Sequence, residues 1–162
     1  MPQQVILIPI DRACAEFIAQ SPEAFAERHD LAIDGVGGHM SAVISMTPAP
    51  MLQAGEWGTF FAYDAATRSM VGACGFKAPP DAARTVEIAY FTFPPREGRG
   101  WGTTMARALT ARALASAEVD SVIAHTLPET NASTRVLEKC GFRRDGKFVD
   151  PEDGPVWRWR ST

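Results

Sequence analysis

An apolar, strand-like stretch that leads into a cluster of glycines constrains the fold of this chain more than any other feature. The stretch is TVEIAYFTF at residues 85–93, and REGRGWG follows from residue 96. Glycine weakens a helix, so Gly98, Gly100 and Gly102 at the start of a helix-forming segment indicate a backbone that another group approaches closely. The free N–H groups and the dipole of a first helical turn attract anions. The pattern therefore predicts a phosphate-bearing ligand; a tight turn that needs glycine only for its geometry is the alternative.

The spacing of these glycines differs from two common nucleotide motifs. G-x-G-x-G is neither the dinucleotide pattern G-x-G-x-x-G nor the phosphate loop G-x-x-x-x-G-K-[ST]. The chain also lacks the second strand–helix–strand half that dinucleotide-binding domains contain. A nucleotide-dependent oxidoreductase is therefore disfavoured.

The rest of the chain alternates short strands with short helices, which predicts one α/β domain over residues 1–162 with a mixed sheet. Glycine and proline break up residues 35–55, a composition consistent with a mobile segment over a site. The predicted strands are residues 5–10, the two arms of a hairpin that turns at 64–68, residues 85–93, residues 121–127 and two more after residue 141. Three predicted helices follow Asp11, Ser21 and Asn131, and another runs from about Gly102 to Ala117.

Composition excludes several classes of protein. The 162 residues suit one domain, and a net charge of −3 points to neither a nucleic-acid nor a membrane partner. The three cysteines form no CxxC pair, which argues against a disulfide framework and favours a reducing, cytoplasmic location. No stretch resembles a secretory leader or a transmembrane helix. No pair of histidines has metal-ligand spacing, so no metal is expected.

Two segments together resemble the GNAT superfamily of N-acetyltransferases. EGRGWG at residues 97–102 is similar to the family signature [QR]-x-x-G-x-[GA], and NASTRVLEKCGF at residues 131–142 is similar to N-x-x-[SA]-x-x-[LY]-[YL]-x-K-x-G-F. The resemblance is greatest to the branch of ribosomal-protein N-terminal acetyltransferases and their small-substrate relatives. It implies a central, mostly antiparallel sheet of about seven strands flanked by about four helices.

The resemblance also implies an activity and a donor. The chain would transfer an acetyl group from acetyl-CoA directly to a primary amine of a small molecule or a protein N-terminus, and a homodimer is open. Its central strand would separate from the neighbouring strand and pair through its backbone with the pantetheine arm. The implied acetyl-CoA contacts are Phe91, Thr92 and Phe93 on that strand, Gly98, Arg99, Gly100, Trp101, Gly102, Thr103 and Thr104 at the glycine turn, and Asn131.

Two positions depart from the family pattern. Glu97 stands where the signature has Gln or Arg, with Arg96 one place early. Leu137 stands where many members carry the tyrosine that protonates the leaving thiolate. Ser133 is the substitute that the resemblance offers for this acid, and an ordinary first-turn helix residue is the alternative for Ser133. These departures give weight to a second hypothesis, a catalytically inactive acyl-CoA-binding sensor.

Glu87 is the candidate for the catalytic base. It interrupts an apolar strand, and a carboxylate among apolar side chains is suited to accept a proton near neutral pH. The alternative is a solvated residue, or one paired with a surface arginine such as Arg84. His125 is expected to be a core histidine. The acceptor pocket is expected to be bordered by Phe25, His39, Met40 and Trp57.

Overall fold

A single seven-stranded sheet organises the computed structural model, which describes residues 2–162. The strand order is β1-β2-β3-β4-β5-β7-β6, and every neighbouring pair is antiparallel except β4 and β5. This confirms the predicted mostly antiparallel sheet. The strands are β1 Val5–Pro9, β2 Thr59–Asp64, β3 Met70–Phe76, β4 Thr85–Thr92, β5 Ser121–Thr126, β6 Arg143–Asp150 and β7 Gly154–Ser161.

Five α-helices flank the sheet, one more than expected. The additional helix is α3, and it lies in the segment that glycine and proline made hard to interpret. It has no side-chain cap, and it packs against α1 and α2 through residues such as the fully buried Met40. No described helix is both long and apolar enough to cross a membrane. The helices are α1 Arg12–Gln20, α2 Pro22–His29, α3 Gly37–Met46, α4 Trp101–Leu114 and α5 Ala132–Lys139, with short 3₁₀ helices at Ala49–Gln53, Gly55–Trp57 and Pro94–Arg96.

The helix caps expected from the sequence are present. The Asp11 side chain accepts a hydrogen bond from Cys14 N at 2.8 Å, and Ser21 Oγ accepts one from Ala24 N at 3.1 Å. Asn131 Oδ1 accepts one from Thr134 N at 3.0 Å. Each bond satisfies an N–H group that the first turn of a helix leaves without a partner, which is why these helices begin where they do.

The two faces of the sheet carry two separate hydrophobic cores, because successive side chains of a strand point to opposite faces. The first core packs α4 and α5 on one face, and Leu109 and Leu137 are fully buried there beside Ile88 of β4. The second core packs α1, α2 and α3 on the other face, with Met40 buried beside Phe93. Glu87 alternates with Ile88 and therefore faces the second side.

The sheet opens between its two parallel strands. β4 and β5 pair only from Thr85↔Ser121 to Glu87↔Ile123, although β4 continues to Thr92 and β5 continues beside β7 to Thr126. The predicted separation of the central strand from its neighbour is therefore present. We call this opening the fork; Glu87 and Ile123 are its last paired residues.

Candidate active site

A groove of about 550 Å³ lies where the fork meets the amino ends of α4 and α5. Its volume is within the usual range for ligand sites. It contains eight of the predicted site residues and excludes five, namely Glu87, Phe93, Arg99, Thr104 and Asn131. The eight that line it are Phe91, Thr92, Gly98, Gly100, Trp101, Gly102, Thr103 and Ser133.

The three glycines of the turn serve two different purposes. Gly98 and Gly100 have φ angles of 78° and 84°, in the left-handed region that glycine adopts most easily. Gly102 lies inside α4, and a Cβ atom there would come within 3.4 Å of Val136 Cγ2 and 3.7 Å of Thr92 Oγ1. The turn needs its first two glycines for backbone geometry, whereas the third keeps the floor of the groove open.

The amino end of α4 offers main-chain donors to the groove. The N–H groups of Trp101, Gly102 and Thr103 precede the first hydrogen bond within the helix, which Thr104 N donates to Gly100 O at 3.1 Å. The Thr104 hydroxyl donates to Gln3 Oε1 at 2.6 Å. The predicted contact through the Thr104 N–H is therefore wrong, since the helix already uses that group.

Positive charge reaches the groove from α5 rather than from the head of the glycine turn. Arg135 and Lys139 line the groove, one helical turn apart, together with the negatively charged Glu97. Arg96 is turned away, and its guanidinium donates to Met70 O at 3.2 Å and Asp34 O at 2.9 Å. The sequence analysis missed the two basic residues of α5, although their spacing of four in a predicted helix was a usable signal.

The register of β4 decides which of its main-chain groups face the fork. Glu87 O accepts from Lys77 N, and Phe93 N donates to Val71 O, so the odd-numbered residues between them hydrogen-bond to β3. The main-chain groups of Tyr90 and Thr92 therefore face the fork. Of the three residues predicted to pair with pantetheine through their backbone, only Thr92 has this orientation, and the predictions for the backbones of Phe91 and Phe93 are corrected.

Two residues with hydroxyl groups, Tyr90 and Ser133, are in contact at the α5 side of the groove. Ser133 lines the groove, and the Tyr90 hydroxyl donates to Ser133 O at 3.3 Å. Burial raises the pKa of the Tyr90 phenol to about 12, so the phenol stays protonated at neutral pH. Leu137 is fully buried in the first core and brings no titratable group to the groove. The sequence analysis did not identify Tyr90.

Glu87 is the centre of a charged cluster on the face of the sheet that carries the second core. Its Oε2 atom lies 2.8 Å from Lys77 Nζ and 3.0 Å from His125 Nδ1, both at ion-pair distance but without hydrogen-bond alignment. Arg84 pairs with Asp120 instead, at 2.9 Å. Glu87 is thus neither isolated among apolar groups nor paired with Arg84. The His125 side chain is 21% exposed, so the expectation of a core histidine is wrong.

The residues expected to border an acceptor pocket occupy different places. Phe25, Met40 and Trp57 are buried in the two cores, where they have no open surface to offer. His39 is half-buried, and its ring stacks on that of Phe93 with 5.8 Å between centroids. Within residues 2–162, no group of three metal-binding side chains is close enough to hold an ion.

Comparisons with known proteins agree with this geometry. The sequence matches the family model for the acetyltransferase (GNAT) domain over residues 9–143. The structure is similar to an acetyltransferase of the GNAT family from Bacillus anthracis, with a TM-score of 0.66 and 17% identity over 99% of this chain and 96% of that one. No curated protein sequence matches the chain significantly.

Two further structures contain coenzyme A. One is RimL, a ribosomal L7/L12 alpha-N-protein acetyltransferase, with a TM-score of 0.68 and 14% identity over 98% of this chain and 93% of that one. The other is the aminoglycoside acetyltransferase AAC(6')-Ib, with a TM-score of 0.66 and 18% identity over 99% and 95%. At these identities, the structural likeness describes the fold.

Proposed function

The chain belongs to the GNAT family of acetyltransferases, and on that basis we propose that it transfers the acetyl group of acetyl-CoA directly to a primary amine. The observation that supports this most is the position of the groove. It brings the open edge of β4 beside the free N–H groups of α4, so one ligand can meet both. A long molecule with an amide-bearing arm and a phosphate group would use both features.

The residues of the groove fit such a substrate. The N–H groups of Trp101, Gly102 and Thr103, with Arg135 and Lys139, would hold the pyrophosphate. The main-chain groups of Tyr90 and Thr92 would pair with the pantetheine amides. Arg99 and Asn131, which lie outside the groove lining, remain predicted contacts.

The reaction exchanges one bond for another and moves two protons. The acceptor nitrogen bonds to the thioester carbon while the carbon–sulfur bond breaks, with no acyl-enzyme intermediate. We assign removal of the amine proton to the Glu87 carboxylate and the groups it contacts, because they lie at the fork. We assign protonation of the departing thiolate to Ser133, since this residue lines the groove and Leu137 offers no acid.

The acceptor we propose is a primary amine on a small molecule or a protein N-terminus. Proteins of similar structure are named for acetylating spermidine, aminoglycosides and a ribosomal protein N-terminus. We further propose a cytoplasmic protein without a metal, in which residues 1–162 form one domain. Cys14, Cys74 and Cys140 are all free thiols, which suits a reducing compartment.

An acyl-CoA-binding sensor without turnover is the second candidate. The observation that favours it is the burial of Leu137, which leaves α5 without the expected phenol. A sensor would keep the groove and the affinity for acetyl-CoA, whereas an enzyme would also release CoA thiol when an amine is present.

Isothermal titration of the protein with acetyl-CoA, CoA and NADP tests the groove. We expect acetyl-CoA and CoA to bind and NADP not to bind. Gly100→Asp should abolish binding, because it places a negative charge at the amino end of α4. Gly100→Asn is the matched control, since both side chains tolerate the left-handed conformation and only one is charged. Equal loss in both variants, or no binding by wild type, would contradict the proposed site.

Thiol release from acetyl-CoA then separates the enzyme from the sensor. The acceptors would be spermidine, kanamycin and a peptide with the L7/L12 N-terminal sequence. Turnover with any of them supports the acetyltransferase. Binding of acetyl-CoA without thiol release, across these and a wider amine panel, supports the sensor instead.

A further inference from the structure

We propose that His125 is the catalytic base, which takes the proton of the acceptor amine on Nε2 while Glu87 positions its ring. This inference rests on the proposed function and names the atom that accepts the proton. It reverses the expectation from sequence, in which Glu87 was the base and His125 a core residue.

The fork brings the two side chains together from different strands. Glu87 is the last residue of β4 that pairs with β5, and its partner on β5 is Ile123. His125 lies two positions after Ile123 on the same strand. The two side chains meet on the same face of the sheet, with His125 Nδ1 3.0 Å from Glu87 Oε2. The pair therefore lies where the pairing of β4 and β5 ends, on the face of the sheet opposite α4 and α5.

The contact with the carboxylate determines which ring nitrogen is available. A carboxylate favours a proton on the nitrogen that faces it, so Nδ1 carries the proton and Nε2 of the neutral ring keeps its lone pair. Nε2 makes no hydrogen bond within residues 2–162, and 21% of the side chain is exposed. His125 thus faces Glu87 through Nδ1, while its Nε2 has no hydrogen-bond partner among the described residues.

The Lys77 ammonium group beside Glu87 argues against the carboxylate as the direct base. Lys77 Nζ lies 2.8 Å from the same Oε2 atom, and that oxygen is buried. Protonation of this oxygen would remove its attraction to the ammonium group. Imidazole, by contrast, is the side chain that ordinarily gains and loses a proton close to neutral pH.

Other charged groups surround the imidazole ring and contribute to its electrostatic environment. Lys77 follows β3, Glu87 lies on β4, and Asp150 at the end of β6 is close enough to interact with both Lys77 and His125. Arg158 of β7 is the strand partner of His125 and pairs with Asp145 at 3.1 Å. The Phe148 ring lies edge-on to the imidazole, with 6.5 Å between centroids.

The proton balance is complete without another reactant. As the nitrogen–carbon bond forms and the carbon–sulfur bond breaks, the amine proton passes from nitrogen to Nε2. Glu87 stabilises the resulting imidazolium through Nδ1–H, and the thiolate takes its proton from the acid in the groove. After the product leaves, the imidazolium returns its proton to solvent and the acid in the groove regains one from solvent.

The test compares His125→Gln, Glu87→Gln and the control His29→Gln, which changes an exposed histidine of α2. Acetyl-CoA affinity would be measured by titration, and thiol release would be followed with spermidine, kanamycin and the L7/L12 peptide. We expect His125→Gln to lower kcat by about 100-fold or more, with the Kd for acetyl-CoA within twofold of wild type. Glu87→Gln should lose less, because glutamine keeps an oxygen atom that can face Nδ1. His29→Gln should match wild type.

Chemical rescue separates a base from a structural residue. Added imidazole should restore part of the activity of His125→Ala. Activity of His125→Gln within threefold of wild type, or a larger loss in Glu87→Gln, would overturn the assignment. Absence of thiol release by wild type with any amine would instead overturn the proposed function.

Discussion

At the scale of single residues, Gly102 is where helix stability and ligand space conflict. It is the second residue of α4 and lines the groove, and a methyl group there would point toward Val136 and Thr92. A helix gains stability when alanine replaces glycine. Alanine at this position would therefore favour the helix but would place a methyl group toward the groove. We infer that the groove, rather than helix stability, accounts for glycine at position 102.

We predict that Gly102→Ala raises the free energy of unfolding by up to about 1 kcal/mol while weakening acetyl-CoA binding at least tenfold. Gly38→Ala is the matched control, because Gly38 is the second residue of α3 and has no neighbour within 4 Å of its would-be Cβ atom. Chemical denaturation and isothermal titration of both variants provide the measurement. Unchanged affinity in Gly102→Ala would show that no ligand approaches this residue.

Residues near the glycine turn show which details local sequence can predict. The glycines at 98 and 100 were identifiable because their backbone conformation excludes most other residues. Arg96 was not, since its two acceptors, Met70 O and Asp34 O, are distant in sequence. The contact between the Thr104 hydroxyl and Gln3 was likewise hidden, because Gln3 is distant in sequence.

At the scale of helices, α5 depends on a reciprocal cap. Asn131 Oδ1 accepts from Thr134 N, and Thr134 Oγ1 accepts from Asn131 N at 2.9 Å. This arrangement orients the turn that presents Ser133 to the groove. The cap was predictable because it involves only neighbouring residues.

We predict that Asn131→Ala lowers the free energy of unfolding by about 1 kcal/mol and that Asn131→Asp leaves it within experimental error. Both outcomes follow from the need for an oxygen acceptor at this position. Asn131→Asp also removes the side-chain amide donor, so it should weaken acetyl-CoA binding if that amide contacts pantetheine. Denaturation midpoints and titrations of the two variants would be compared, and equal stability of the two would contradict the capping role.

At the scale of strands, the register of β4 makes a prediction for individual amides. The N–H groups of Ala89 and Phe91 face β3 and are bonded there, whereas those of Tyr90 and Thr92 face the fork. In hydrogen-exchange NMR, we therefore expect slow exchange at the first two and fast exchange at the second two in the free protein. Acetyl-CoA should slow Tyr90 and Thr92 selectively. Protection of these two amides before acetyl-CoA is added would mean that the fork is closed in solution.

At the scale of the whole molecule, the two cores share one sheet and should unfold together. All four tryptophans belong to the first core or pack against it, so tryptophan fluorescence reports on that core. Met40 lies in the second core. Because of this separation, tryptophan fluorescence can show whether a mutation in the second core also affects the unfolding of the first core.

We predict that Met40→Ala lowers the stability by about 2–5 kcal/mol and shifts the fluorescence and far-UV circular dichroism midpoints equally. Leu109→Ala, in the first core, is the comparison and should behave in the same way. A fluorescence midpoint that stays at its wild-type value in Met40→Ala would show that the cores unfold independently and would contradict the prediction of one domain.

The amino-acid sequence by itself determined the local features of this protein. The caps of α1, α2 and α5, the glycine turn before α4 and the alternation within β4 arise from interactions between residues a few positions apart, and the family resemblance rests on the same segments. Only α3 escaped local analysis, because contacts with α1 and α2, rather than a cap, stabilise it.

Only the tertiary structure decided how these features become a site. The order of the strands places β5 beside β4 and ends their pairing at Glu87, which brings His125 and Lys77 to one carboxylate. Local sequence does not contain this information, since the cluster joins β4, β5 and the residue that follows β3, across 48 positions from residue 77 to residue 125. Side chains that meet across a sheet are selected by register and by strand order, and both follow from the packing of the entire chain.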